Sequence, residues 1–211
     1  MYIWIIKILS NLIITTLCIY LVINKINSFS FSINYLLWGL PILIINVLDG
    51  FFLIKSAFKK PTTIDIRFST ILISLGGASI MALTSFFLKY PPLPIYGAIY
   101  FKMLASLLNV LTYPFVIWAL LCLKSCLTIV PEAHKVVASG IYKYSRHPLY
   151  MCYILWAITY ILIFQSIPII ILSTVFIALT VLRMKREEDL LLETFPEYED
   201  YYNNTGLLGI K

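Results

Sequence analysis

The sequence has few charged residues for its length. They make up 12% of its 211 residues, against about 25% in a typical soluble domain. Hydrophobic residues reach 61%, and only ten acidic residues and two histidines are present. This composition excludes an ordinary water-soluble globular fold. It predicts an all-α, polytopic integral membrane protein that forms a single domain overall.

Cysteine is also scarce, and the four cysteines do not suggest disulfides or a metal site. Cys18 and Cys152 lie in apolar runs, while Cys122 and Cys126 are expected on one face of one helix. A metal held there would need histidine or carboxylate partners nearby, and the sequence places none. We therefore expect all four cysteines to pack against apolar neighbours.

Long apolar runs predict the membrane spans, since a spanning helix needs about 20 mostly apolar residues. No small-residue cleavage site follows Tyr20, so the first run is expected to be a retained span. About four transmembrane helices are expected before the polar part of the chain, at residues 2–23, 33–54, 68–88 and 99–123. We interpret residues 1–123 as transmembrane anchor helices.

Basic residues predict the orientation of these spans. They cluster in two loops that fall on the same side of four spans: Lys55, Lys59, Lys60 and Arg67 in one, Lys124, Lys135, Lys143 and Arg146 in the other. The positive-inside bias makes that side cytoplasmic. Because the basic residues lie in short loops, the net charge of +6 does not indicate nucleic-acid binding.

Two features inside the anchor helices favour structural roles. Asp49 is expected near one end of its span, where it can reach water or Lys55. Gly76 and Gly77 begin a patch of small residues that lets another helix approach closely.

Two polar segments flank a further apolar run at residues 148–182. A break at Gln165–Pro168 predicts a membrane hairpin of two helices, which would return Arg183 to the side where Arg146 left. In the first segment, GIYKYSRHPLY, Pro148 suits the first turn of a helix. Arg146 and His147 would then lie at a helix N-terminus, which favours an anionic or electron-rich group.

The second segment, RMKREEDLLLETFPEYEDY, contains the carboxylates Glu187 and Glu188. By itself it is also compatible with an interfacial C-terminal helix, which Pro196 splits in two. The apolar stripe of that helix would be formed by Leu191, Phe195, Tyr198 and Tyr202. Taken together, the two segments predict a polar pocket at the mouth of an apolar cavity. Such a pocket suits a charged, water-soluble cosubstrate together with a lipophilic one.

The paired segments resemble the isoprenylcysteine carboxyl methyltransferase family and, more distantly, the membrane phospholipid N-methyltransferases. The resemblance rests on GxYxxxRHPxY, followed after the apolar hairpin by Glu-Glu and Phe-Pro-x-Tyr. It implies an integral membrane methyltransferase that uses S-adenosyl-L-methionine and yields S-adenosyl-L-homocysteine, with residues 124–211 as the catalytic region. Consistent with this, no GxGxxG loop of a Rossmann domain is present.

The resemblance also implies the residues of the site. Arg183 would face the substrate carboxylate and, with Glu187 and His147, form the catalytic set. The cofactor would be bound by His134, Lys135, Val136, Val137, Tyr142, His147, Pro148, Leu149, Tyr150, Glu187 and Glu188. The residues themselves leave other interpretations open. His134 could be an ordinary loop histidine, His147 only a helix-start residue, and Glu188 a solvated neighbour of Glu187.

Some positions depart from the family pattern. Cys152 stands where many members have glycine, and Leu127 stands where eukaryotic members have a polar residue near the cofactor. With fewer spans than the eukaryotic enzymes, the chain resembles a short prokaryotic version, which implies a bacterial or archaeal cytoplasmic membrane. This weakens the expectation that a prenylated protein is the substrate.

We therefore expect carboxyl O-methylation of an isoprenylcysteine-like or other lipophilic carboxylate. A carboxylate is ionised at neutral pH and needs no general base. A phospholipid amine or a small thiol is the alternative acceptor, and for an amine Glu188 or His147 could serve as base. A non-catalytic membrane scaffold or transporter is an alternative of another class, although the sequence shows no internal repeat of the kind that transporters have.

Overall fold

The computed structural model describes residues 2–27, 40–83, 91–94 and 98–207. Their helices are α1 (Tyr2–Asn27), α2 (Leu40–Ala57), α3 (Phe68–Leu83), α4 (Ala98–Leu123), α5 (Pro148–Phe164), α6 (Ile167–Thr194) and α7 (Glu197–Asn204). Two short strands, β1 (Thr63–Ile64) and β2 (Glu132–Ala133), pair antiparallel. Two 3₁₀ turns, Lys124–Cys126 and Gly140–Lys143, precede the helical hairpin. The fold is that of an all-α polytopic membrane protein, as the composition predicts.

Three helices in the described part of the chain are long and apolar enough to cross a membrane: α2, α4 with the 3₁₀ turn after it, and α6. Shorter apolar stretches lie in α1, α3 and α5. α1 packs against α2, α3 against α6, and α5 against both α4 and α6. Many large hydrophobic side chains remain exposed on the helices, Leu72 and Leu107 among them. Such surfaces suit contact with lipid tails.

The structure changes several predicted boundaries. The first helix continues to Asn27, because the polar residues after Ile23 include neither glycine nor proline and remain compatible with helix. The predicted starts of the second span at residues 33–39 and the end of the third at residues 84–88 lie outside the described residues. The fourth span and the hairpin are confirmed, with Gln165 in the left-handed conformation at the end of α5.

α6 is longer than the predicted arm of the hairpin. It carries the chain from the apolar region directly into the second polar segment without a break. Pro196 does end the helical run, since α6 stops at Thr194 and α7 starts at Glu197. Glu187 and Glu188 therefore lie on a helix whose direction is set by packing along α5 and α3.

The expected contact of Asp49 with Lys55 does not form among the described residues. Asp49 lies at the middle of α2, and its Oδ1 atom is buried without a hydrogen-bond partner in the part of the chain that the structure describes. The Lys55 ammonium instead lies 4.5 Å from the centre of the Phe51 ring. Asp49 and Lys55 are six positions apart, which places them on different faces of α2, so their side chains cannot reach each other. The expected packing at Gly76 and Gly77 is confirmed, because Leu179 of α6 lies over both glycines.

Cys122 and Cys126 do not share one helix, contrary to expectation. Lys124 has a φ of 50°, so the α-helix ends at Leu123 and the chain turns. Cys122 stays in α4 beneath Gly140, whereas Cys126 lies within reach of the Lys59 ammonium, 3.8 Å from its Sγ atom. No group of three or more histidine, cysteine and acidic residues able to hold a metal occurs among the described residues.

The β1–β2 pair fixes the segment that follows α4. Thr63 pairs with Ala133 and Ile64 with Glu132, and the Asp65 amide donates to the Pro131 carbonyl at 3.1 Å. Burial raises the pKa of the Asp65 carboxyl, but hydrogen bonds from Arg67 and Thr70 outweigh this and hold the pKa below its usual range. This short pairing holds residues 127–139, here called the β2 loop, over the ends of the helices.

Candidate active site

A cleft lies where the β2 loop, the RHP segment, the end of α6 and α7 meet. Its lining residues are Leu123, Cys126, Glu132, His134, Lys135, Val137, Tyr142, Arg146, His147, Glu187, Leu191, Tyr198 and Tyr201. The cavity between them is small, about 50 Å³, which is room for a few water molecules. A nucleoside-sized ligand therefore requires side chains of the cleft to move apart.

His147 and Glu188 join the RHP segment to α6. His147 is the residue before the first turn of α5, where Pro148 occupies the position expected from the sequence. The His147 Nε2 atom lies 3.1 Å from Glu188 Oε1, and the two side chains are 4% and 12% exposed. Glu188 is therefore not a solvated neighbour of Glu187, and His147 does more than start a helix.

Arg146 binds a carboxylate of the protein itself, that of Glu188. Its Nε donates to Glu188 Oε1 at 2.6 Å, and its Nη1 donates to the carbonyls of Tyr202 and Thr205. The guanidinium also lies 4.1 Å from the centre of the Tyr202 ring. Arg146 thus fastens the C-terminal helix to α5 and α6. The sequence pointed to this cation, yet not to its partners, which lie 42 and more residues away.

Glu187 lines the cleft and also contacts Tyr150 of α5. Its Oε2 atom accepts a hydrogen bond of 2.7 Å from the Tyr150 hydroxyl. The Arg183 guanidinium lies 5.3 Å from the centre of the same tyrosine ring and donates to the Thr128 carbonyl. The Nε atom of Arg183 is buried and has no hydrogen-bond partner among residues 2–27, 40–83, 91–94 and 98–207. Arg183, Tyr150 and Glu187 form a chain of contacts from the apolar helices to the cleft.

His134 enters the cleft from the β2 loop and is not an ordinary exposed loop histidine. Its side chain is 1% exposed, and neither ring nitrogen makes a hydrogen bond within the described residues. Its Nε2 lies 3.0 Å from Glu132 Oε2, although the geometry is not that of a hydrogen bond. A buried imidazole whose nitrogens lack hydrogen bonds is costly, so a polar ligand in the cleft would satisfy it.

The structure brings together only some of the residues that the family resemblance implied. Lining the cleft are His134, Lys135, Val137, Tyr142, His147 and Glu187. Behind it lie Glu188 and Tyr150, both bonded to cleft residues, and Arg183. Leu149 instead packs in the core formed by α2, α4 and α5, and Pro148 is buried at the first turn of α5. Val136 does not line the cleft although both its neighbours do.

Sequence reasoning missed Glu132 and the aromatic residues of α7. Tyr198 is 3% exposed, Leu191 lines the cleft, and Tyr202 stacks on Arg146. Tyr198 and Leu191 of the predicted apolar stripe therefore face the cleft. Glu132 could have been noticed as an acid two residues before His134 in a chain with ten acids.

The Tyr201 hydroxyl closes the other end of the cleft. It donates to the carbonyl of Tyr142, in the 3₁₀ turn that precedes the RHP segment. Burial raises the pKa of Tyr201 to about 12, with Arg146 lowering and Glu188 raising it further. The phenol is therefore protonated at neutral pH and remains a donor. Burial also raises the pKa of Tyr142 well above its usual value.

Comparisons with known proteins match the part of the chain that builds this cleft. Residues 103–193 match the model of the isoprenylcysteine carboxyl methyltransferase (ICMT) family. A protein-S-isoprenylcysteine O-methyltransferase of Saccharomyces cerevisiae is 36% identical over 76 residues, which cover 35% of this chain and 32% of that protein. One of Dictyostelium discoideum is 33% identical over 83 residues, covering 37% of this chain and 35% of that protein.

These matches cover about a third of the length of the curated relatives. The family match at residues 103–193 includes the β2 loop, the RHP segment and most of α6, and it stops before α7. The family match contains the GxYxxxRHPxY and Glu-Glu parts of the recognised motif, whereas Phe-Pro-x-Tyr lies beyond it. Residues 103–193 of this chain are similar to the isoprenylcysteine carboxyl methyltransferase family.

Proposed function

We propose that the protein is a membrane methyltransferase that uses S-adenosyl-L-methionine. The observation that carries this proposal is the meeting of His134, His147 and Glu187 in one cleft, next to apolar helices. These residues come from three distant segments, and each belongs to the family-matched region. In this proposal residues 1–123 act as the anchor and residues 124–211 as the catalytic region of one domain.

The residues of the cleft fit the chemistry of this cofactor. It carries hydroxyl, ammonium and adenine donors, a carboxylate, and a sulfonium cation. His134 offers two buried ring nitrogens without hydrogen bonds, and Glu187 offers a carboxylate. Tyr198 and Tyr201 supply aromatic surface on α7. The cleft of about 50 Å³ must widen to admit the cofactor. α7 is held there by hydrogen bonds from the Arg146 side chain to the Tyr202 carbonyl and from the Tyr201 hydroxyl to the Tyr142 carbonyl.

When bound, the cofactor supplies an electrophilic methyl group on its sulfonium. Arg183 would orient the acceptor carboxylate through the guanidinium donors not used by the Thr128 carbonyl. Tyr150 holds Glu187 by its hydroxyl, which keeps this carboxylate at the boundary between cleft and apolar helices. Glu188, which is bonded to Arg146, holds the His147 ring in place. The protein would contribute alignment and exclusion of water.

We propose a lipophilic carboxylate, such as an isoprenylcysteine-like compound, as the acceptor. Both named relatives are protein-S-isoprenylcysteine O-methyltransferases, and Arg183 gives this chain a cation beside the apolar helices. A carboxylate requires no proton removal at neutral pH. Membrane lipids would surround the helices and deliver such an acceptor laterally. A phospholipid amine or a thiol remains the second candidate, because His147 and Glu188 could then accept a proton.

Binding of S-adenosyl-L-homocysteine tests whether the protein uses the proposed cofactor. Detergent-solubilised full-length protein should gain thermal stability on titration with this product, by about 2.7 kcal/mol at a hundredfold excess over Kd. A membrane scaffold or transporter would show no such gain. Glu187→Gln should weaken the effect, whereas the exposed Glu193→Gln on the same helix should leave it unchanged.

Arg183→Ala tests the acceptor assignment. It should lower methyl transfer to a prenylcysteine analogue at least tenfold while the affinity for S-adenosyl-L-homocysteine changes far less. Equal loss of both would contradict the role given to Arg183. An acceptor panel of prenylcysteine analogues, phosphatidylethanolamine and small thiols would then identify the acceptor class.

We further propose that the cleft faces the cytoplasm, because the surrounding loops carry Lys60, Lys124, Lys135 and Lys143. Lys143 is exposed and lies next to the RHP segment. Lys143→Cys should be protected from a membrane-impermeant maleimide in intact cells and labelled in inverted vesicles, with the wild-type cysteines as background. Labelling in intact cells would place the cleft on the opposite side.

A further inference from the structure

Exposed aromatic side chains mark both ends of the segment that joins α2 to α3, residues 58–67, here called the β1 loop. Phe58 follows α2 directly and is 78% exposed, and Phe68 begins α3 and is 75% exposed. α2 is long and apolar enough to cross a membrane, and α3 contains a shorter apolar stretch. The β1 loop therefore lies where two apolar helices reach one membrane surface. Exposed rings at that level suit insertion at the boundary between lipid headgroups and acyl chains.

The β1 loop and the end of α2 carry a surplus of positive charge. Lys55 is in the last turn of α2, and its ammonium lies 4.5 Å from the centre of the Phe51 ring. Lys60 follows in the loop, and both lysines are exposed. The one acid of the loop, Asp65, is buried and accepts hydrogen bonds from Arg67, which balances its charge. The two exposed lysines therefore attract anions to this surface.

The same loop supports one wall of the cleft. β1 pairs with β2, which contains Glu132, and the Thr63 hydroxyl lies 2.7 Å from that of Thr194 at the end of α6. The Lys59 ammonium lies 3.8 Å from the Sγ of Cys126. Glu132 and Cys126 both line the cleft. A ligand that holds the β1 loop would therefore also hold the cleft wall, without entering the cleft.

We propose that the β1 loop binds the headgroup of an anionic phospholipid, and that this lipid strengthens cofactor binding. The ammonium groups of Lys55 and Lys60 would bind the phosphate, while the rings of Phe58 and Phe68 lie against the upper acyl chains. A free phosphate ion would use the lysines alone, so the exposed rings favour a lipid as its source. A zwitterionic lipid carries the same phosphate, but its own cation offsets that charge.

Coupling to the cleft follows from the β1–β2 pairing. A loop that is already held by a lipid has less conformational freedom to lose when the cofactor binds, so the two ligands should favour each other. This second half of the inference rests on the proposed function, whereas the lipid site does not. The β1 loop lies outside residues 103–193, so the family match does not include it.

Native mass spectrometry of the full-length protein tests the lipid site. Wild type should retain phosphatidylglycerol in preference to phosphatidylcholine. The double variant Lys55→Gln/Lys60→Gln should weaken phosphatidylglycerol retention at least about fivefold, because each lysine contributes to the attraction. Lys55→Arg/Lys60→Arg should keep the preference, as should the control Lys143→Gln/Lys185→Gln, which removes two exposed lysines outside the loop. Equal retention of both lipids by wild type, or an unchanged preference in the glutamine variant of the loop, would overturn the proposal.

Calorimetry in nanodiscs tests the coupling. S-adenosyl-L-homocysteine should bind about threefold or more tightly when phosphatidylglycerol replaces part of the phosphatidylcholine, and added salt should reduce the gain. Lys55→Gln/Lys60→Gln should show no gain, although its affinity in phosphatidylcholine alone should match that of wild type. Inorganic phosphate added to phosphatidylcholine discs should not reproduce the gain. If it does, the ligand is a free anion and the lipid assignment is overturned.

The remaining outcomes separate this inference from the proposed function. If S-adenosyl-L-homocysteine binds equally in both kinds of disc, the coupling is overturned while the proposed function stands. If it binds in neither, the proposed function and the coupling fail together, and the mass spectra still decide whether the lipid site exists. Thermal unfolding in phosphatidylcholine shows that the variants fold, which the exposure of both lysines leads us to expect.

Discussion

Polar side chains inside the apolar helices and polar side chains at the cleft differ in where their hydrogen-bond partners lie. In the helices several hydroxyl and amide groups bond to their own backbone four residues back, as from Thr16 to Leu12 and from Asn46 to Ile42. At the cleft they bond to distant segments, as Arg146 does to Glu188 and Tyr201 to Tyr142. Local bonds satisfy a polar group in any arrangement of helices. The distant bonds exist only in this tertiary structure, so cleft substitutions should cost most.

Arg146→Ala should have the largest effect on stability. It removes the partner of the buried Glu188 and the donors to two carbonyls near the C-terminus. Leaving one charge of a buried pair should cost about 3–5 kcal/mol in the free energy of unfolding, measured by denaturant titration in mixed micelles. Lys143→Ala, an exposed change three residues away, should stay within about 0.5 kcal/mol. A small effect of Arg146→Ala would show that the C-terminal contacts contribute little.

Gly140→Ala should come next. Gly140 has a φ of 63°, and a Cβ atom there would lie 2.5 Å from the Sγ of Cys122. Strained backbone and the clash together should cost about 2–3 kcal/mol. The double variant with Cys122→Ala should recover the part that is due to the clash and retain the part that is due to φ. Full recovery would mean that the left-handed backbone carries no cost here.

Tyr201→Phe should cost about 1 kcal/mol at neutral pH, because it removes one hydrogen bond to the Tyr142 carbonyl. The pKa of Tyr201 is raised to about 12 in the folded protein, from about 10 in an unfolded chain. Its contribution is therefore fully present below pH 10 and is lost as the pH rises toward 12. The wild type should lose stability more steeply than Tyr201→Phe over this interval. Parallel curves would contradict the assignment.

Thr16→Val should have the smallest effect. The Thr16 hydroxyl bonds to the Leu12 carbonyl within α1 at 2.8 Å and is exposed on the helix. Its removal should change the free energy of unfolding by less than about 0.5 kcal/mol. A loss above 1 kcal/mol would show that this hydroxyl serves a neighbouring helix, and would weaken the distinction between the two regions.

The predictions from sequence succeeded where a local pattern decides the structure. Apolar length predicted α4, and the Gln165–Pro168 break with Pro148 predicted the hairpin. They failed for Asp49, because its surroundings are set by neighbouring helices and its own helix face. They did not reveal that Tyr198 lines the cleft and that Tyr202 stacks on Arg146, since an amphipathic pattern does not specify which surface its apolar side contacts.

By itself the sequence determined an all-α membrane protein, a helical hairpin between two polar segments, and a family motif at residues 140–150. Composition and periodicity carry that information, because apolar length and helix-starting residues act locally. Only the tertiary structure decided that Glu188 binds Arg146 and His147, and that Glu132 joins His134 at the cleft. Those pairs depend on how α5, α6 and the β1–β2 strands bring distant residues together, and no short stretch of sequence encodes such distances.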